Sequence, residues 1–340
     1  MTSMHETAKA LVAPAKGILA ADESSGTIKK RFDSIGVEST EEARRRYRQL
    51  LFTTPGLGEH ISGVILFDET IRQSADDGRT FVDVLREAGS IPGIKVDTGA
   101  KPLALYPGEA VTEVLDGLRE RLAEHVELGA RFAKWRATIT IGDGLPTHYA
   151  IDANAHAMAR YAALCQEADV VPIVEPEVLM DGDHDLAACE QATGRTLAAL
   201  YRELERARID LAGSLLKVNM VVPGKGAAVQ DDDVAIAEAT IRCLQEHVPA
   251  DVPGVVFLSG GMSDEQATNR LNEMNRIGAG KLPWELSFSY GRALQAPSLA
   301  AWGGDDANVP AAQQALAHRA RMNGLARSGE YGPELEATAA

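Results

Sequence analysis

The stretch SLLKVNMVV (214–222) is a short aliphatic and β-branched run with one lysine, Lys217, in its middle. Runs of this kind form strands, and two leucines before the lysine and a valine after it direct its side chain toward buried surface. Lysine is among the residues least often fully buried, because desolvating its charge is costly. Either Lys217 reaches water at a strand end, or its surroundings lower its proton affinity for a purpose.

Working outward, runs of the same character recur about every thirty to forty-five residues: GILAAD (17–22), SGVILFD (62–68), GIKVD (93–97), FAKWRATITI (132–141), VVPIVEPEV (170–178), GVVFLSGG (254–261) and LSFSYG (286–291). With SLLKVNMVV they make eight. Between them lie segments of helical period such as TEEARRRYRQLLF, AIDANAHAMARYAALCQEA and DDDVAIAEATIRCLQEH, several opening on a Thr or Asp suited to a helix N-terminus. Eight strands alternating with helices predict an α/β chain folded as a (β/α)8 TIM barrel. A doubly wound sheet would instead want fewer strands and a G-x-G-x-x-G turn after the first, which GILAAD lacks. No linker or low-complexity run divides the 340 residues, so a single domain is expected, with a short N-terminal arm over about 1–10 and a mobile C-terminal tail over about 328–340.

Composition narrows the function. Hydrophobic residues make up 45% of the chain, enough for a substantial core, and the formal charge of −15 argues against nucleic acid or an anionic membrane as a general partner. Cys165, Cys189 and Cys243 are far apart, without metal-site spacing, which predicts reduced core thiols in a cytoplasmic protein. The first seventeen residues hold no secretory apolar run, and nothing approaches a membrane span.

In a barrel the active site forms at the carboxyl ends of the strands, and positions two apart share a face. Lys95 with Asp97, Lys134 with Arg136, Glu175 with Glu177, and Lys217 with Asn219 are such pairs, joined by Asp22 after the first strand. One pair alone reads as a solvated strand end. Four pairs and Asp22 converge on one mouth. Lysines crowded by like charge and partly desolvated can supply a neutral amine, which attacks a ketone and leaves a protonated imine, an electron sink. Lys217 has the most apolar flanks of the three strand lysines and is the candidate, with Lys134 as its charged neighbour; snorkelling or a simple ion pair is the competing reading.

LSGG (258–261) and FSYGR (288–292) follow the last two strands, where barrels often bind phosphate through backbone N–H groups and a helix start. Ser259, Gly260, Gly261, Ser289, Gly291 and Arg292 suit that task. ADESSGTIKKR (21–31) offers a second anion site or merely a capped helix. DGDHD (181–185) is too poor in ligands for a metal site, and PGKGAA (223–228) is no P-loop and reads as a flexible rim. Neither a metal nor a cofactor is expected.

In this order and spacing, GILAADES, GVILFDET, GIKVD, FAKWR, VPIVEPEVL, LLKVNMV, LSGG and FSYGRALQA resemble class I fructose-bisphosphate aldolases, the Schiff-base type, from about residue 10 to 327. The resemblance implies a homotetrameric barrel that reversibly cleaves fructose 1,6-bisphosphate to dihydroxyacetone phosphate and glyceraldehyde 3-phosphate, in glycolysis or gluconeogenesis. It makes Lys217 the imine-forming lysine and Glu175 the acid/base of carbinolamine chemistry. Asp22, assisted by Lys134, becomes the acceptor of the C4 hydroxyl proton. The LSGG and FSYGR residues would hold the phosphate nearer C1; Ser24, Arg31 and Lys95 would lie toward C6, and Arg136, Glu177 and Asn219 complete the sugar site. Animal members have serine where this chain has Thr27, and they end in a tyrosine that assists proton exchange at C3, whereas the last tyrosine here is Tyr331. The competing expectations are a Schiff-base enzyme for another ketose phosphate and a non-catalytic sugar-phosphate binder, the latter weakened by the presence of Asp22, Lys134, Glu175 and Lys217.

Overall fold

Each of the eight runs becomes a strand of a closed parallel barrel in the computed structural model, which describes residues 3–339. In chain order the strands are β1 (Gly17–Ala21), β2 (Ile61–Leu66), β3 (Ile91–Lys95), β4 (Ala100–Pro102), β5 (Ala110–Thr112), β6 (Phe132–Ile139), β7 (Val171–Val178), β8 (Leu215–Val218), β9 (Gly254–Phe257) and β10 (Glu285–Tyr290). The barrel runs β1-β2-β3-β6-β7-β8-β9-β10 and back to β1, so every strand pairs with its neighbours in sequence. The short antiparallel hairpin β4–β5 stands outside it, in the excursion between β3 and β6. Helices fill the remaining connections, and Thr40, Asp185 and Asp232 each cap one by accepting the N–H of the third residue onward. The fold is therefore a single (β/α)8 barrel.

Period two divides the strand side chains into two separate apolar clusters. Trp135, Val174, Leu216, Val218, Phe257 and Phe288 face outward into the layer beneath the helices. Ile18, Ile65, Phe132, Val171, Ile173, Leu215 and Val256 face the lumen. Advancing two or four residues along the lumen face leads from Phe132 to Lys134 and Arg136, from Ile173 to Glu175 and Glu177, and from Leu215 to Lys217. The lower lumen is oily and the upper lumen charged.

The segment expected as a short arm is a helix, Met4–Leu11, whose capping box pairs the Ser3 hydroxyl with the Glu6 N–H and the Glu6 carboxylate with the Ser3 N–H. Its Ala8 and Leu11, with Val12, join the lumen cluster and close the bottom of the barrel. The fit is tight: a Cβ on Gly63 would lie 2.6 Å from Leu11 Cδ2, and one on Gly254 2.6 Å from Val12 Cγ1. Burying a leucine of this kind contributes about 2 kcal/mol.

The tail, read as mobile from its small polar composition, has partners. Tyr331 is buried and its hydroxyl donates to Glu336 Oε1 at 2.9 Å. Glu336 also receives Arg319 and, at 2.8 Å, His318 Nε2, which docks residues Pro333–Ala339 against the helix Val309–Arg327. The three cysteines are buried and unpaired, and among the described residues no helix is long and apolar enough to cross a membrane.

Candidate active site

Parallel register sets the site. Lys95 of β3 lies beside Lys134 of β6, and Arg136 and Thr138 of β6 lie beside Glu175 and Glu177 of β7. Lumen parity then turns the charged chains inward at one level. Lys134 is the hub, with its Nζ 2.9 Å from Asp22 Oδ2, 3.3 Å from Glu175 Oε2 and 3.6 Å from Asp97 Oδ2. Lys217 Nζ stands 3.1 Å from the other oxygen, Glu175 Oε1, so one carboxylate bridges the two lysines. All of these chains except Asp22 are nearly inaccessible to water, and Asp22 is the one that opens most to the lumen.

Charge states follow from the pairing. Burial works against the Asp22 carboxylate, but the ammoniums of Lys134, Lys217 and Lys95 overcome it and hold its carboxyl well below the ordinary range. Burial likewise opposes charge on Lys134, yet Asp22, Glu175 and Asp97 together raise its proton affinity above that of an ordinary lysine. The pairing thus favours Asp22 as an acceptor and Lys134 as a cation. Asp97 is fixed behind them: Lys95 Nζ pairs with it at 3.2 Å, and the N–H groups of Gly99 and Arg136 donate to it.

Above this level the mouth is positive. A cavity of about 600 Å³ is lined by eight lysines and arginines against five carboxylates, in a chain that is otherwise strongly acidic. On one side Arg31 pairs with the buried Glu23, which also receives Arg48 at 2.5 Å and Gln295 Nε2 at 2.9 Å. Burial opposes charge on Glu23, and the two guanidiniums override it and lower its carboxyl's proton affinity. Ser24 Oγ lies 3.2 Å from Thr27 Oγ1 on the same wall. Next along the barrel rim, where β9 and β10 lead back to β1, Gly260 and Gly261 turn the chain at φ +54° and +106°, the second a conformation that L side chains rarely adopt. The helix Arg292–Trp302 starts directly after Gly291, and the buried Ser289 hydroxyl has no partner. Backbone N–H groups at a glycine turn, a helix start, a free hydroxyl and Arg292 are the chemistry of an anion cradle.

The structure brings Asp22, Ser24, Arg31, Lys95, Lys134, Arg136, Glu175, Glu177, Lys217, Ser259, Gly260, Gly261, Ser289, Gly291 and Arg292 to this one cavity. Asn219 is the exception. It shares the parity of Lys217, but its amide accepts the Val178 N–H at 3.0 Å and donates to Thr193 Oγ1 and the Met220 carbonyl, so it ties β7 to the chain after β8 instead of facing substrate. Four charged lining residues escaped the sequence reading as site residues: Glu23, Lys30, Asp181 and Lys225. Glu23 and Lys30 lie inside a stretch already singled out, whereas Lys225 comes from the supposed flexible rim.

Comparison with known proteins agrees with this geometry. The model for the family "Fructose-bisphosphate aldolase class-I" matches residues 3–340. The chain is 57% identical over 329 residues to a probable fructose-bisphosphate aldolase class 1 of Xanthomonas campestris, covering 96% of this chain and 98% of that one. It is 54% identical to a cytosolic fructose-bisphosphate aldolase of Arabidopsis thaliana, over 94% of this chain and 81% of the relative. A solved fructose-bisphosphate aldolase of Plasmodium falciparum, in complex with TRAP and a small-molecule inhibitor, superposes with a TM-score of 0.95 at 46% identity, covering 97% of this chain and 95% of that one. A positive mouth over paired buried lysines and carboxylates, on a scaffold shared at this level, leaves one conclusion: the chain belongs to the class I fructose-bisphosphate aldolases, which are aldehyde-lyases.

Proposed function

We propose that the chain cleaves fructose 1,6-bisphosphate, reversibly, through an imine on Lys217. The observation that carries this reading is the single carboxylate of Glu175 bridging Lys217 and Lys134, with Lys134 also on Asp22. Lys217 passes a proton to Glu175, 3.1 Å away, and the freed amine adds to the C2 carbonyl. Glu175 supplies the proton with which the carbinolamine oxygen leaves as water, giving the protonated imine. Asp22 takes the C4 hydroxyl proton, the C3–C4 electron pair flows into the iminium as an enamine, and the aldehyde departs. Protonation at C3 and hydrolysis of the new imine return the lysine and release dihydroxyacetone phosphate. Lys134 stays charged beside both carboxylates throughout.

Borohydride trapping in EDTA tests this. The expected result is a substrate-dependent mass increase on the peptide holding Lys217, with activity lost in step. Full activity without an adduct would overturn the imine. Cations set around the whole mouth, from Lys95 and Arg136 to Arg31, Lys225 and Arg292, favour a substrate phosphorylated at both ends, so fructose 1-phosphate should turn over with a much lower kcat/KM than the bisphosphate. Equal values would remove the second site from the reading. The same family likeness, with the cytosolic plant relative, supports a cytoplasmic homotetramer working in glycolysis or gluconeogenesis, which light scattering on the purified protein checks at the level of assembly.

A further inference from the structure

The loop holding Lys225 is pinned, not flexible. The backbone N–H groups of Gly224, Lys225 and Gly226 donate to the carbonyls of His184, Met180 and Gly182, each at 2.8 Å. A Cβ on Gly224 would sit 2.5 Å from the Gly182 carbonyl oxygen, so only glycine permits this approach. Lys225 is therefore presented from a fixed backbone, and its side chain crosses the anion cradle. Lys225 Nζ and Arg292 Nη2 lie 2.9 and 3.2 Å from the point that a Cβ on Gly261 would occupy. Two cations share that small volume. Among the described residues Lys225 is balanced only by Asp181, at 3.0 Å, and no carboxylate pairs with Arg292. The buried, partnerless Ser289 hydroxyl opens on the same cavity. Neighbouring like charges and an unused donor fit a ligand that carries two negative charges and several acceptor oxygens.

We propose that Lys225 is a specificity-determining residue for the phosphoryl group held at this cradle: Asp181 holds its ammonium in the free protein, and the arriving phosphoryl group takes it over. This rests on the sugar-phosphate reading of the cavity. The exchange is cheap, because the Lys225 and Asp181 side chains are 49% and 68% exposed and a pair so wet is weak. A phosphate dianion offers the ammonium more charge at the same distance, beside Arg292. Asp181 is then a brake on binding, and Lys225 its release.

The test is calorimetric titration of inorganic phosphate into the full-length protein and its Lys225→Gln, Asp181→Asn and Ser289→Ala variants, with circular dichroism confirming the fold. Lys225→Gln should weaken binding by roughly 3- to 10-fold, less so as salt is raised. Asp181→Asn should tighten it, and the gain should vanish when Lys225 is also Gln. The Lys225→Gln effect should shrink in the Ser289→Ala background, since both groups touch one anion. Unchanged binding in Lys225→Gln, or strict additivity with Ser289→Ala, overturns the assignment. Kinetically the same variant should raise KM and lower kcat less than about twofold, the pattern of lost ground-state binding. Because phosphate binding needs no imine, a wild-type protein without a Lys217 adduct would sink the preceding reading and leave these titrations standing.

Discussion

The two ends of the barrel lumen are made by the same strands at the same parity, yet they answer to different physics. At the bottom, Ile18, Phe132, Leu215 and Val256 meet Leu11 and Val12 and are held by volume alone. At the top, two to four residues farther along the same strands, Lys134, Lys217, Asp22, Asp97 and Glu175 are held by charge pairing. Burying ions costs free energy that their mutual attraction only partly returns, so the upper lumen is carried by the stability of the lower. The difference teaches where substitutions should read out: in activity at the top, in folding at the bottom.

The largest effect expected is at Lys217. Lys217→Met removes the nucleophile and leaves Glu175 paired with Lys134, so kcat should fall by roughly 10⁵-fold or more with the fold intact. Residual activity within a hundredfold of wild type in a stopped assay would break the division of labour. Asp22→Asn comes next, with a loss of about 10²–10⁴ in kcat. It carries a second readout. The folded carboxyl lies below its ordinary 3.8, so Asp22 contributes stability that is present above that pH and lost as the pH falls through the folded value. The variant should show a flatter acid limb in urea unfolding, and an unchanged limb would count against the Lys134 pairing. At the other end, Leu11→Ala should cost about 2–5 kcal/mol in urea unfolding while kcat per folded molecule stays near wild type. A kcat loss equal to that of Asp22→Asn would erase the contrast between the ends. The smallest effect belongs to Tyr331→Phe: with its hydroxyl turned to Glu336 and outside the cavity lining, tritium exchange at C3 of dihydroxyacetone phosphate should change less than about twofold. A large loss would show that the docked tail leaves its seat during turnover.

How much of this was legible in the sequence depends on range. Strand parity is a property of adjacent residues, so the pairs Lys134/Arg136 and Glu175/Glu177 could be read directly, and with them the barrel and its mouth. Asn219 shows where that reading stops: parity gives the face, but the amide found Val178 of β7 and Thr193, partners that only the folded neighbours supply. Lys225 shows the converse. Nothing local marks PGKG as part of a site, because its position is set by three backbone bonds to a loop some forty residues earlier. The seat of the N-terminal arm was illegible for the same reason. MHETAKAL is a short helix with a modest apolar face, and its meaning lies in a barrel bottom assembled from strands far along the chain. The docked tail likewise depends on Arg319 and His318 waiting for Glu336, which composition does not disclose.

The plug beneath the barrel also sets a timetable. Leu11 and Val12 share one buried cluster with Leu215 and Val256, and Arg327 Nη2 donates to the Val12 carbonyl at 3.2 Å, so the first helix has no complete seat until the last one has been made. On a ribosome adding about 5–20 residues per second, that is a wait on the order of tens of seconds, during which Ala8, Leu11 and Val12 lack their seat. Sealing of the barrel bottom therefore comes after synthesis of the helix that carries Arg327, and residues 4–12 hold only provisional contacts until then.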